Sequence, residues 1–280
     1  MADNPFFQNR AVYTVPGMDA VEVHRDLVYR RRDQPDGADL LMDVYVPPGL
    51  AAGEARPGVL LLHGGPIPAE MMPLLHRVKS WGIFLSYGEL LAASGFVAVT
   101  FGHRFASVAE IATAGDDITA AVDFVRGKAS DFHLDPDRLA LWAFSGGGTL
   151  LTPALREHPP YLRALIAYYA LLDLASLRGQ FEQFPVTEEA ARDFSPAAAL
   201  PESAPYEGPP LLIARGGRDS PFINNTLDLF VQRALAANAP LDLLNHPAGQ
   251  HGFDILDDDA RSREIIARTI GFLQERLSVA

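Results

Sequence analysis

The sequence predicts an α/β domain, a mostly parallel sheet with helices on both faces. Three observations predict it. Short apolar runs recur at residues 59–62, 95–101, 139–144 and 209–214, and each is continuous rather than alternating, as in strands covered on both sides. Stretches with apolar residues at helical spacing lie between them, notably 116–128 and 224–238. Residues able to do chemistry cluster immediately after the runs, at the strand ends where sheets of this kind carry their sites.

In chain order, 21–29 and 39–46 read as two strands joined by the turn signal Gln34-Pro35-Asp36-Gly37, an N-terminal antiparallel hairpin. Arg30-Arg31-Arg32 beside it reads as a solvated hairpin end. Residues 56–63 form a buried strand that runs into His63-Gly64-Gly65-Pro66. Residues 67–91 carry Met71, Met72, Leu74, Leu75, Val78, Trp81, Phe84 and Leu85, too many apolar groups for a solvent loop. They read as a flap followed by a helix from Ser86 or Tyr87 to Ala93. Strands follow at 95–101, 139–144, 162–171, 209–214 and 241–246, with helices at 116–128, 224–238 and 257–279. Residues 172–210 show no strand pattern and read as an excursion of short helices. The domain therefore spans 21–280 after an extension at 1–20, with 67–91 and 172–210 as candidate lid elements.

Composition excludes several function classes. The chain has 280 residues, 48% hydrophobic and 21% charged, which is ordinary globular usage with room for a substantial core. A net charge of −12 lacks the basic footprint that nucleic acid requires. Without cysteine there is no disulfide scaffold, thiolate nucleophile or thiolate metal site, and no His/carboxylate cluster has metal-ligand spacing. The three glycines after Ser145 match neither a dinucleotide fingerprint nor a P-loop. No cofactor or metal is expected. The first residues carry no secretory pattern and no apolar run reaches membrane-spanning length, so the expectation is a soluble cytoplasmic protein, monomer or homodimer, without a membrane partner.

Residues 138–150 (RLALWAFSGGGTL) carry the first chemical signal. A buried strand breaks sharply at Ser145-Gly146-Gly147-Gly148 and a helix follows, the layout of a nucleophile elbow. Strand and helix lie so close at such a turn that positions two before and two after the serine have little room; here they are Ala143 and Gly147. Gly146 leaves its N–H free to face a substrate oxygen. Alone the pattern decides little, because a small-x-Ser-x-Gly match arises by chance roughly a few tenths of a time in a chain this long. Partners decide it. Gly64 and Gly65 after the 56–63 strand suit an oxyanion loop. Asp219 follows the 209–214 strand and His251 follows the 241–246 strand, in the order serine, acid, base that such sheets use. Competing assignments are Asp219 as a helix N-cap, His246 as base and Asp173 as acid. His63 reads as a structural residue of its loop, and His24, His76, His133 and His158 as surface residues. His103, at a strand end, joins Trp81 and Phe144 as a candidate pocket residue.

The segments VLLLHGGP (59–66), DPDRLALWAFSGGG (135–148), LLIARGGRDSPF (211–222) and HGFD (251–254) resemble the α/β-hydrolase superfamily, in its dienelactone hydrolase, prolyl oligopeptidase-like and carboxylesterase branches. The resemblance implies an eight-stranded, largely parallel sheet. It also implies ester hydrolysis through Ser145, His251 and Asp219, with oxyanion donors at Gly146 and in the Gly64–Gly65 region. HGGP here departs from the HGGG form, so the donor within that loop stays open. Apolar residues of 71–85 and 181–184 are expected to roof an acyl pocket, which favours a small or medium ester over a long charged peptide.

Overall fold

The computed structural model describes residues 5–31, 39–67, 77–179, 185–202 and 204–278. One sheet holds eight strands in the order β1-β2-β4-β3-β5-β6-β7-β8. They are β1 (Glu22–Arg30), β2 (Leu40–Val46), β3 (Arg56–Leu62), β4 (Val97–Phe101), β5 (Leu134–Phe144), β6 (Leu162–Tyr168), β7 (Leu211–Gly216) and β8 (Leu241–His246). β2 runs antiparallel to both neighbours, and every other pairing is parallel. The turn at 34–37 lies outside the described residues.

The helices are α1 (Pro5–Gln8), α2 (Gly82–Ala93), α3 (Ile111–Gly127), α4 (Thr152–Glu157), α5 (Glu188–Asp193), α6 (Pro196–Ala199), α7 (Pro221–Ala236), α8 (Phe253–Leu256) and α9 (Ala260–Leu277). Their starts follow local chemistry. Ser220 caps α7 by accepting from the Ile223 N–H, with Pro221 in the first turn, and Asp259 caps α9 by accepting from the Ser262 N–H. α2 starts at Gly82, four residues before the earliest expected start, because Trp81 caps it without a side-chain bond and leaves no sequence signal. The 172–210 excursion does hold short helices, α5 and α6.

β5 is central. Successive strand side chains point to opposite faces, so Trp142 and Phe144 share one face. There the Trp142 ring meets Tyr87 of α2 and Tyr168 of β6, each at 4.8 Å between centroids. Tyr168 in turn hydrogen-bonds Thr269 of α9 at 2.7 Å. This aromatic layer fixes the register of β5, since a one-residue slip would turn its large side chains to the other face. Two buried carboxylates tie down the antiparallel end. Asp117 of α3 accepts from the Arg104 backbone N–H and from two nitrogens of its guanidinium, and from Arg30 at 2.9 Å. Arg30 is thus a structural ion-pair partner and not part of a purely solvated arginine cluster. Asp43 accepts from Lys79 Nζ (2.7 Å) and from the Asp26 N–H (2.8 Å), which holds the bulge in β1 where Asp26 adopts φ 57°.

Candidate active site

Ser145 stands at the carboxyl end of β5 with φ 54°, a left-handed conformation uncommon for a residue with a side chain. A 3-10 turn (Ser145–Leu151) leads from it into α4. The glycines that follow are demanded by crowding. A methyl on Gly146 would sit 1.9 Å from the Gly65 carbonyl oxygen, and one on Gly147 2.4 Å from the His63 carbonyl oxygen. One on Gly148 would meet Ala170 and the Leu171 carbonyl at 2.7 Å. Ala143 is fully buried, in register with Leu62 of β3 and Ala167 of β6. The Leu171 N–H to the Ser145 carbonyl (2.9 Å) closes the turn from the far side.

His251 reaches Ser145 from the loop after β8, its Nε2 2.9 Å from Ser145 Oγ. Its Nδ1 lies 2.7 Å from Asp219 Oδ2. A carboxylate only accepts, so Nδ1 carries the proton and Nε2 is left to accept from the serine hydroxyl. Asp219 Oδ1 accepts from the Ser220 N–H at 2.7 Å. Because Ser220 supplies the helix cap, the Asp219 carboxylate is free to hold the imidazole. The Asp219 side chain is 3% exposed and that of His251 33%, so the carboxylate is covered while the imidazole reaches the cavity beside Ser145. The two loops are zipped by backbone bonds, Gly217 N–H to His246 O and Arg218 N–H to Gly249 O, both 2.8 Å.

The competing residues are spoken for. Asp173 accepts from the Ala175 and Ser176 N–H groups of its own turn. His246 is buried, and its Nε2 lies 3.1 Å from Asp259. His133 and His158 bond backbone carbonyls, His24 lies 3.5 Å from Glu22, and His76 falls outside the described residues.

The loop after β3 is shaped by two stacked imidazoles. His63 donates from Nδ1 to the Gly64 carbonyl (2.6 Å) and accepts at Nε2 from the His103 N–H (3.1 Å). Burial pushes the His63 imidazole down to about 4, so it stays neutral and keeps both bonds at ordinary pH. His103 lies flat against it at 3.6 Å and is fully buried. His103 therefore lines neither cavity at Ser145, contrary to expectation, because its ring is buried against His63 and Phe101. Gly64 and Gly65 run alongside Ser145 and Gly146; Pro66 has no N–H to offer.

His103 carries a testable consequence. Neither of its ring nitrogens has a hydrogen-bond partner among the described residues, and burial, then the neighbouring His63, hold its pKa well below the ordinary value. His103→Phe keeps a flat ring and removes buried unpaired groups that cost about 1–3 kcal/mol. A depressed histidine pKa costs the wild type stability as pH falls below about 6.5; the variant keeps the like loss from His63 but is freed of the one from His103. Urea unfolding at pH 8 and pH 5 should show the variant's advantage growing toward pH 5; an advantage that shrinks contradicts a buried neutral imidazole.

Two cavities meet at Ser145. The larger, about 300 Å³, is walled by Phe7, Trp81, Phe84, Phe144, Tyr169 and His251. The smaller, about 220 Å³, is walled by Gly146, Leu171, Leu174, Leu177, Val186 and Phe222. The expected roof residues Met71, Met72, Leu74, Leu75 and 181–184 lie outside the described residues. Phe7 and Tyr169 are additions that sequence reasoning missed. Tyr169 takes φ 37° just past β6, and its ring stands edge-on to His251 at 4.7 Å. Below it Asp254 is fully buried, accepts from Tyr87 Oη at 2.7 Å, and is pushed up by burial to about 6. Among the described residues no group of His and carboxylates could hold a metal, and no helix is long and apolar enough to cross a membrane.

Known structures share this architecture. The apo form of Thermogutta terrifontis esterase 2 superposes with a TM-score of 0.71 at 22% identity, covering 95% of this chain and 98% of that one. The chain has the α/β-hydrolase fold. The same esterase phosphoramylated by tabun gives a TM-score of 0.68 at 21% identity over 95% and 98% of the two chains. The profile of the BD-FAE family matches residues 42–158, from β2 through the serine turn to the end of α4. Esterase LipQ of Mycobacterium tuberculosis (strain ATCC 25618 / H37Rv) is 23% identical over 262 residues, 85% of this chain. The chain spans 60% of LipQ's length.

Proposed function

We propose that the chain is a serine hydrolase that cleaves a small or medium carboxylic ester with apolar groups on both sides of the carbonyl. The observation that carries this is the hydrogen-bonded line Ser145–His251–Asp219, at 2.9 and 2.7 Å, placed between two apolar cavities. Ser145 Oγ bonds to the carbonyl carbon as its proton passes to His251 Nε2. Asp219 stabilises the imidazolium and keeps its orientation. The Gly146 N–H, in the first turn of its helix and so without an intrahelical partner, faces the developing oxyanion, joined by an N–H of Gly64 or Gly65. His251 then protonates the departing alkoxide, the C–O bond breaks, and water repeats the sequence on the acyl-serine to release the acid.

The relatives support this reading. LipQ is an esterase, and the Thermogutta esterase is known phosphorylated by paraoxon and with butyrate bound. Among the described residues that line them, neither cavity offers the charged side chains that a long polar peptide would need. The test is turnover of p-nitrophenyl acetate, butyrate and octanoate by the wild type and by Gly146→Ala. The wild type should turn over the short esters. The added methyl has only 1.9 Å to the Gly65 oxygen, so the donor must shift, and kcat should fall about 10²-fold or more. A folded Gly146→Ala with wild-type kcat would place the oxyanion elsewhere.

A further inference from the structure

Residues 7–12 are not a loose extension. The Ala11 N–H bonds Ser86 Oγ (2.8 Å), the Val12 N–H bonds the Asp254 carbonyl (2.9 Å), and Asn9 Nδ2 bonds the Ile255 carbonyl (3.4 Å). Arg10 pairs with Glu89. A methyl on Gly82 would meet the Gln8 and Asn9 carbonyl oxygens at 2.5 Å, so the bare start of α2 is what lets this strap lie down. It runs from α2 to α8, the helix that directly follows His251, and it delivers Phe7 against Trp81 with ring centroids 4.6 Å apart. Phe7 thereby becomes a wall of the 300 Å³ cavity.

The two cavities are chemically unequal. His251 lines the larger and is not among the residues lining the smaller, whereas Gly146 lines the smaller. The departing oxygen must take its proton from His251 Nε2, so the group attached to that oxygen lies on the His251 side. The acyl group, held by its carbonyl oxygen at the Gly146 N–H, is left with the leucine-walled cavity. We propose that the aromatic-walled cavity receives the alcohol part of the ester, a compact apolar or single-ring alcohol, and that Phe7 is the specificity-determining residue that limits its size. This rests on Ser145 and His251 acting as proposed above, and it moves Trp81 from the acyl side to the alcohol side.

Two substrate series separate the cavities, with kcat/KM read by pH-stat. One holds the acyl group as acetate and varies the alcohol through ethyl, benzyl and 2-naphthylmethyl. The other holds ethanol and varies the acid through acetate, butyrate and hexanoate. Phe7→Ala should raise the naphthylmethyl-to-benzyl ratio about tenfold and leave the butyrate-to-acetate ratio within about twofold. Trp81→Ala, on the facing ring, should move the same ratio in the same direction, and Phe7→Trp should lower it. Unchanged alcohol ratios in folded variants, or a shift confined to the acyl series, overturn the assignment. Loss of all Ser145-dependent turnover in the wild type overturns the reading beneath it instead.

Discussion

Ser145→Ala should lower kcat for an ester about a million-fold while leaving the fold unchanged. Loss of a triad nucleophile has that magnitude because the remaining groups cannot form the acyl-enzyme. The fold should survive because nothing structural depends on the hydroxyl. The turn is held by the backbone bond from Leu171 to the Ser145 carbonyl and by the close packing of Gly146, Gly147 and Gly148, none of which the substitution alters. Alanine meets no new penalty at φ 54° relative to serine, since both carry the same Cβ. The measurements are steady-state turnover and thermal unfolding on the same preparation. Retention of more than a few percent of activity contradicts the assignment.

Asp219→Asn should lower kcat by roughly 10⁴. The local bonds explain why this substitution is severe despite its small size. The Ser220 N–H donates to Oδ1, so the asparagine oxygen stays on that side and its NH₂ turns toward His251. Nδ1 must then accept, the ring proton moves to Nε2, and Nε2 can no longer accept from Ser145. Asp173→Asn is the contrast. That carboxylate serves the N–H groups of Ala175 and Ser176, so its loss should lower stability and leave kcat nearly unchanged. A mild Asp219→Asn beside a crippling Asp173→Asn would move the acid to the earlier strand end.

The strand ends were legible because they are set by short-range rules. Each follows a continuous apolar run, and the small residues around Ser145 are required by backbone crowding that the sequence shows directly. The parts that were not legible depend on long-range contact. Residues 7–12 have no periodicity, and their place comes from Gly82, Ser86 and the backbone of α8, more than seventy positions away. The 162–171 run reads as one strand because it stays apolar, yet β6 ends at Tyr168 and the chain turns at Tyr169 to aim a ring at His251. The strand read from the sequence covers only 139–144, yet β5 begins at Leu134, ahead of Asp135-Pro136-Asp137. Proline is accommodated there because pairing with β3 is irregular between Arg56 and Gly58. His103 has the position of a pocket residue, and only the stacking of its ring on His63 shows that it is buried instead.

Paraoxon treatment followed by peptide mass mapping tests the central claim most directly. One diethylphosphoryl group should be added per chain, on the peptide that contains Ser145. Ester turnover should fall in proportion to the modified fraction, and Ser145→Ala should take up none. Complete loss of turnover with Ser145 unmodified, or stoichiometric modification at another residue, would contradict Ser145 as the nucleophile.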